Sequence, residues 1–197
     1  YHNIKTKPSH IQTELVAGLA KRAEEIRAGL VDPSQDNMLK VTNDGRKLAL
    51  DQRLIDPMLP DDPDSKVNAC VGNIFRIWEE HADTKATQLC FCDISTPKND
   101  GSFNVYDDMR EKLVRRDIPA EQIRFIHEAK TDAQKKELFA KVRSGEVRVL
   151  IGSTQKMGAG TNCQDRLIAI HNLDCPWKPS CLEQRQGRIE RQGNMFP

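Results

Sequence analysis

The stretch Thr87-Gln-Leu-Cys-Phe-Cys-Asp-Ile94 decides the fold, because a short apolar run of this kind is typical of a fully buried strand. An amphipathic helix is predicted just before it, with Asp64 or Ser65 as its N-cap and apolar residues at helical spacing beyond that cap. Those apolar residues are Val67, Cys70, Val71, Ile74, Ile77 and Trp78. A helix followed by a buried strand is the first unit of an α/β pattern.

The same alternation of helix and strand continues toward the end of the chain. Helices are predicted over 103–116 and 131–143, and the second of these begins at the capping box Thr131-Asp-Ala-Gln134. A last helix is predicted over 179–191, with a proline near its first turn. Strands are predicted over 123–126, 147–151 and 166–171. The pattern predicts an α/β fold in which helices cover both faces of a parallel sheet.

The first 64 residues lack this alternation. An amphipathic helix is predicted over 9–29, where one apolar stripe faces a charged side and Gly29 ends the helix. Turn signals at Asp32-Pro33 and Asn43-Asp44-Gly45, a short helix over 47–55 and a Pro/Asp-rich linker over 56–64 follow. The chain is therefore predicted to consist of a helical extension with a linker over 1–64 and an α/β domain over 65–197.

Composition and charge restrict the class of protein. The chain has 197 residues, of which 38% are hydrophobic and 30% charged, and its net charge is +1, which excludes a broadly basic nucleic-acid binder but not a local basic face. No apolar run approaches the roughly 20 residues needed to cross a bilayer, and the N-terminus lacks a signal peptide, so no membrane contact and a cytoplasmic location are expected. Because the chain does not begin with Met, an excised fragment is expected. The six cysteines show no CxxC pair, so buried reduced thiols and no metal site are predicted.

Parallel sheets bind ligands at the carboxyl ends of their strands, which directs attention to the loops after the predicted strands. The loop Gly152-Ser-Thr-Gln-Lys-Met-Gly-Ala-Gly-Thr-Asn162 combines glycines with Ser, Thr and Lys, a composition that suits a backbone close to phosphates. It is not a P-loop, because no Lys-Ser/Thr pair follows its second glycine, and Cys163 stands where a GxGxxG motif needs its last glycine. A phosphate-facing loop and a plain turn between two strands are both compatible with this sequence.

The last predicted helix carries Gln184, Arg188 and Arg191 at spacings of four and three residues, which would place them on one face. A guanidinium group stays ionised and forms bidentate bonds to phosphate oxygens, so such an arginine can stabilise a transferring phosphoryl group. An ordinary solvated helix face would carry the same charges. The preceding segment, 172–179, has two prolines around Trp177 and is either a stiff connector that orients the helix or a loop with a packing aromatic.

Taken together, these segments resemble the second lobe of superfamily-two helicases. Gln184-Arg-Gln-Gly-Arg-Ile-Glu-Arg191 satisfies every fixed position of that family's motif Q/H-R-x-G-R-x-x-R. Asp174-Cys-Pro-Trp-Lys-Pro179 and Arg191-Gln-Gly-Asn194 are similar to the SWI/SNF-type segments D-x-x-W-N-P and R-I-G-Q, with Lys178 and Asn194 as departures. Gly158-Ala-Gly-Thr-Asn162 resembles the motif G-G-x-G-L-N. Over the whole chain, the resemblance extends to methylase–helicase fusion proteins of bacterial phages and mobile elements.

The resemblance implies a RecA-like three-layer lobe of an ATP-dependent DNA helicase or translocase. It implies that Arg191 is the arginine finger and that Arg188 is a second catalytic residue. It implies that Gln184, Gly187 and Gly160 lie at the ATP site between two lobes. It also implies that DNA is bound by Thr96, Thr154, Gln155, Lys156 and Gly158.

The resemblance also implies half of an active site. The chain contains no Walker A sequence and no DExx box, so the phosphate cradle and the Mg²⁺ ligands are expected from an N-terminal helicase lobe of the same polypeptide. The expected cofactor is ATP with Mg²⁺, the expected partners are DNA and that lobe, and this chain alone is expected to be inactive. The alternatives are a non-catalytic nucleic-acid or protein interaction module on the same fold, and a dinucleotide enzyme, which the incomplete GxGxxG disfavours.

Overall fold

The computed structural model describes residues 2–98, 100–157, 162–190 and 192–196. Its helices are α1 (His10–Arg27), α2 (Met38–Leu50), α3 (Lys66–Glu80), α4 (Val105–Val114), α5 (Asp132–Ser144) and α6 (Pro179–Gln186). Its strands are β1 (Thr87–Phe91), β2 (Ile123–Phe125), β3 (Val149–Gly152) and β4 (Leu167–Asn172). The order from α3 onward confirms the predicted alternation. Within the described ranges, no helix is both long and apolar enough to cross a bilayer.

The chain forms two compact units, Tyr1–Ala69 and Cys70–Pro197. The second unit is built on a four-stranded sheet with the strand order β2-β3-β1-β4. Leu89 of β1 lies opposite Leu150 of β3 on one side and opposite Ile170 of β4 on the other. All pairings are parallel, so the carboxyl ends of the four strands share one side of the sheet, which we call the carboxyl edge.

Helices cover both faces of this sheet, as the sequence predicts. On one face, Tyr106 of α4 packs edge-on against Phe125 of β2 at 5.3 Å between ring centroids, and Gln88 of β1 donates to the Ile74 carbonyl of α3 at 3.0 Å. On the other face, α5 packs on β1 and β3 in a buried apolar cluster that includes Leu138, Val142, Leu89, Phe91 and Leu150. The result is the three-layer α/β arrangement of a RecA-like lobe.

All six cysteines are free thiols, but the prediction that they are all buried is wrong for two of them. Cys175 lies in the loop between β4 and α6 and is exposed, and Cys181 lies in the first turn of α6 and is half-buried. The other four are buried. Burial, with a further contribution from the charge of Asp174, raises the pKa of the Cys92 thiol to about 12, so this thiol is protonated at neutral pH.

The unit Tyr1–Ala69 contains α1 and α2. The Ser9 hydroxyl accepts the Gln12 N–H at 3.0 Å and the Gln12 side chain bonds back to the Ser9 N–H, which is a capping box that begins α1. The helix ends just before Gly29, whose φ of +70° is the left-handed conformation of a terminating glycine. The helix and its stop agree with the prediction.

The predicted turn at Asn43-Asp44-Gly45 is wrong, because these residues lie inside α2. Arg22 of α1 bonds to Asp36 at 2.7 Å and to Asp44 at 2.9 Å, and Leu19 of α1 lies 3.8 Å from where a β-carbon on Gly45 would be. These contacts offset a helix-propensity penalty of about 1 kcal/mol for the glycine. The predicted helix over 47–55 is also wrong in its bounds, because α2 ends at Leu50 and a separate 3₁₀ turn, Gln52–Leu54, follows.

Gly145, which ends α5, is the glycine whose replacement is expected to cost most. Its φ is +78°, and a β-carbon there would lie 2.7 Å from Lys85 Cβ and 2.8 Å from the Lys85 carbonyl oxygen. Left-handed strain of about 1–2 kcal/mol and overpacking of about 1–3 kcal/mol act together, so Gly145→Ala should lower the free energy of unfolding by about 2–5 kcal/mol.

Urea denaturation followed by circular dichroism measures this loss. Gly101→Ala is the matched control, because Gly101 has a φ of +75° but nothing within 4 Å of its would-be β-carbon, so that only the backbone strain remains. Equal losses in the two variants would contradict the assigned clash with Lys85.

Candidate functional site

Arg185 of α6 is the central residue of the carboxyl edge. Its side chain is 0% exposed, although it carries a charge. Its Nε donates to the Thr154 hydroxyl at 2.8 Å, and one Nη donates to Asn172 Oδ1 at 3.0 Å and to the Asp174 carbonyl at 3.1 Å. The other Nη donates to Asp93 Oδ2 at 2.8 Å and to Asp174 Oδ1 at 3.2 Å. A guanidinium has five N–H donors, so every one of them is used.

The partners of Arg185 come from the ends of three strands. Asp93 follows β1, Thr154 follows β3, and Asn172 and Asp174 lie at and beyond the end of β4. The Arg185 guanidinium also lies over the Phe91 ring at 4.9 Å. Because three loops converge on one buried cation, the network fixes them relative to one another. We call these residues the Arg185 network.

Direct bonds between these loops reinforce the Arg185 network. Asp93 accepts the backbone N–H of Thr154 at 2.6 Å and its hydroxyl at 2.8 Å. Asp174, whose side chain is 1% exposed, accepts the backbone N–H groups of Asp93 and of Ile94, the latter at 2.9 Å. The two carboxylates are therefore held by one guanidinium and by N–H and O–H donors, which compensates the cost of burying charge.

The terminal helix differs from its prediction. It ends at Gln186, and residues 187–189 form turns, so Gln184 and Arg188 do not share a helical face as predicted. Gly187 is the C-cap, and glycine is a poor helix former, which accounts for the early end. Arg185 is fully buried and Arg188 is 5% exposed, so these two arginines do not lie on an ordinary solvated helix face. Gln184 and Gly187 are exposed.

The residues predicted to bind DNA lie along the carboxyl edge where they are described. Gln155 and Lys156 are exposed in the turns after β3, and the Ser153 hydroxyl accepts the Lys156 N–H at 3.3 Å. Thr96 is half-buried after β1. Thr154 is half-buried too, and its hydroxyl is engaged with Asp93 and Arg185. The predicted residues Gly158, Gly160 and Arg191 lie outside the described residues.

A histidine at the same edge was not predicted. His127 follows β2, and its ring packs edge-on against Tyr106 at 5.3 Å. Burial lowers the pKa of His127, and the charge of Lys156 lowers it further, so the ring is neutral at pH 7. A neutral imidazole beside Lys156 leaves the lysine as the cation at this point of the edge.

The sequence reasoning missed the Arg185 network, and in particular the role of Asp93. One signal was available: Asp93 and Asp174 each follow a predicted strand, and carboxylates that meet at neighbouring strand ends need a cationic partner. Arg185 is the first arginine after both. Its burial depends on packing that a linear pattern does not contain.

The fold and this edge define an α/β lobe of the RecA-like class. Residues 185–191, which carry three arginines and follow the last described strand, are called the arginine segment. The chain belongs to the family described as "Helicase conserved C-terminal domain", whose model matches residues 74–193. The match includes the whole sheet and the Arg185 network.

Two further comparisons bear on relatives. The crystal structure of the Pyrococcus furiosus Hef helicase domain is similar over 93% of this chain, at 17% sequence identity and a TM-score of 0.44. This chain covers 34% of the length of that helicase-domain chain. Among curated proteins, none matches.

Proposed function

We propose that this chain is the second lobe of an ATP-driven DNA helicase or translocase, which completes an ATP site held mainly by a first lobe. The observation that carries the proposal is the family match over 74–193 together with the arginine-bearing segment beside the Arg185 network. In such a motor, closure of two lobes brings arginines to the phosphates and hydrolysis reopens the cleft.

The bonding of Arg185 supports a division of roles among the arginines. Arg185 has no N–H left for a phosphate, so its role is to organise the loops. Phosphate contact is then proposed for Arg191 as the arginine finger and for Arg188 as a second catalytic residue. Gln184 and Gly187, both exposed, belong with Gly160 to the surface proposed to meet the first lobe at the ATP site.

The carboxyl edge is the proposed DNA-binding side. Gln155 and Lys156 are exposed and polar, which suits contact with a phosphate backbone that carries no sequence information. Thr96 and Gly158 complete the proposed set. Thr154 is proposed to act differently, because its hydroxyl already bonds Asp93 and Arg185 and so couples the DNA-facing loop to the arginine segment.

Magnesium does not fit the carboxylates of this edge. Asp93 and Asp174 are both bonded to Arg185 and to backbone N–H groups, so their oxygens are engaged. The described part of the chain contains no group of three or more His, Cys, Asp or Glu side chains able to hold a metal ion. The Mg²⁺ ligands of the proposed motor are therefore assigned to its first lobe, and no step of this chain involves the metal.

A finer assignment within the family rests on the segment before α6. Asp174-Cys-Pro-Trp177 and Pro179 match the SWI/SNF-type segment, and Trp177 is 65% exposed in the loop before α6. We propose membership of the SWI/SNF type on this basis. From the resemblance over the whole chain we propose a methylase–helicase fusion as the parent protein, with the cytoplasm as its location.

Binding of duplex DNA by this chain tests the DNA-facing side. Lys156→Ala should weaken binding by a similar factor for every DNA sequence and should reduce the slope of log K against log salt by about 1, because one phosphate contact is lost. Fluorescence anisotropy with a labelled duplex at several salt concentrations gives both quantities.

Arg76→Ala is the control for this experiment, because it also removes one positive charge. Arg76 is exposed in α3 and pairs with Glu80 at 2.8 Å, so its loss should leave the salt slope unchanged. An unchanged slope for Lys156→Ala, or an equal change in both variants, would remove Lys156 from the proposed DNA contacts. Tight binding that persists with no effect of ATP in a two-lobe polypeptide would favour a non-catalytic binding module.

A further inference from the structure

The residues after the arginine segment fold back along the start of β4. The Met195 N–H donates to the Asp165 carbonyl at 2.9 Å, and the Gln164 side-chain amide donates to the Gln192 carbonyl at 3.1 Å. Gly193 has a φ of +90°, a conformation that glycine adopts without strain and that turns the chain at this point. We call residues 192–196 the return strap.

Asn194 is the residue of the return strap that touches the arginine segment. Its Nδ2 donates to the Leu167 carbonyl of β4 at 2.8 Å and to the Ile189 carbonyl at 3.0 Å. Its Oδ1 accepts the Phe196 N–H at 3.0 Å. Both N–H groups and the oxygen of the amide are therefore used, which fixes its orientation.

The two hydrogen bonds donated by the Asn194 amide, which we call the Asn194 clamp, lie where regular structure has ended. α6 stops at Gln186, and the next residues are held by single turn bonds, such as Gly187 N–H to the Glu183 carbonyl at 2.8 Å and Ile189 N–H to the Gln186 carbonyl at 3.0 Å. The Ile189 side chain packs on the core cluster, but its carbonyl is fixed to the sheet through Asn194. The amide thus ties the chain on both sides of position 191 to one strand.

We propose that Asn194 is a positioning residue for the arginine segment: by tying Ile189 to β4, it sets the backbone from which Arg188 and Arg191 reach the ATP phosphates. This inference rests on the proposed function. Misplacement of a catalytic group by about 1 Å costs about a hundredfold in rate, so a clamp of two hydrogen bonds is enough to matter.

Hydrogen–deuterium exchange on this chain tests the clamp without any activity. Asn194→Ala should speed exchange of the amides of residues 187–190 by about tenfold, the effect of a lost hydrogen bond, while β1 and β3 exchange as before. Gln164→Ala is the matched control, because Gln164 also ties the return strap through an amide but donates to the Gln192 carbonyl instead of the Ile189 carbonyl. Equal exchange at 187–190 in both variants, or no change in either, would overturn the clamp.

Steady-state ATP turnover by a polypeptide that joins this chain to an ATP-binding first lobe tests the positioning role. Asn194→Ala should lower kcat by about tenfold or more and change KM for ATP little, because the arginines act on the transition state. Asn194→Gln, which keeps both donors, should recover part of the rate. Asn194→Asp should not, because a carboxylate has no N–H to donate.

The outcomes separate the two proposals. No turnover by the wild-type two-lobe polypeptide would sink the proposed function, whereas the exchange experiment would still report on the clamp. Wild-type turnover with an unchanged kcat in Asn194→Ala would overturn the positioning role. A loss of kcat in Asn194→Ala that Gln164→Ala matches would do the same, because it would show a general effect of the return strap.

Discussion

Arg185→Met is expected to lower the free energy of unfolding by about 3–5 kcal/mol, because it leaves two carboxylates without the cation that compensates their burial. Asp174 is 1% exposed and Asp93 28% exposed at the side chain, and both accept from Arg185. Methionine fills much of the volume but offers no donor, so the oxygens of Asp93, Asn172 and Asp174 lose a partner. Urea denaturation followed by tryptophan fluorescence and circular dichroism measures the loss.

Two variants calibrate this result. Arg115→Met removes an exposed pair with Glu111 and should change stability by less than about 0.5 kcal/mol. Arg185→Lys keeps the charge with three donors instead of five, so its loss should lie between the other two. A loss below about 1 kcal/mol for Arg185→Met would mean that the Arg185 network does not hold the three loops as described.

Arg191→Ala is expected to lower ATP turnover by about a thousandfold in a polypeptide that joins this chain to an ATP-binding first lobe, the effect of removing an arginine finger. ATP binding should be largely kept, because the first lobe is proposed to supply most ground-state contacts. A coupled assay of phosphate release gives kcat, and a fluorescent ATP analogue gives the binding constant.

Arg115→Ala is the surface control for the turnover measurement and should leave it unchanged, because the Arg115 side chain is 71% exposed on α4. Arg191→Lys keeps a positive charge but loses bidentate geometry and should restore little of the rate. Normal turnover in Arg191→Ala would remove the finger assignment and would leave Arg188 as the remaining candidate.

The fold of residues 70–197 follows from local patterns, which is why it could be predicted. Apolar runs such as Leu89–Phe91 have the length of buried strands, and the capping box at Thr131 and the left-handed Gly145 mark both ends of α5 within a few residues of chain. Each signal is complete within about ten residues, so no tertiary information is needed to read it.

The Arg185 network could not be predicted in the same way, because its bonds join distant residues. Arg185 meets Asp93 across 92 positions and Thr154 across 31 positions. Burial of an arginine depends on whether all its donors find acceptors, and these acceptors meet only after three strands have paired. The sequence therefore predicts which loops meet at the carboxyl edge, but it does not predict the Arg185 bonds that join them.

Tertiary contacts also account for two of the helix errors. In α2, Arg22 stabilises a helix through Asp44 although the local sequence favours a turn. In α6 the opposite happens: residues 187–190 include good helix formers, but Gly187 ends the helix and the Ile189 carbonyl bonds to Asn194 instead of to a helical N–H. Helix propensity is a weak preference of less than about 1 kcal/mol per residue for ordinary residues, so a few such contacts override it.

The most direct test of the central claim, that this lobe completes an ATP site held by another lobe, is ATP turnover measured with and without DNA. The account predicts no turnover by the isolated chain under either condition, and DNA-stimulated turnover once the chain is joined to an ATP-binding first lobe. Turnover by the isolated chain would contradict the claim, and so would a joined polypeptide that binds ATP and DNA but hydrolyses no ATP.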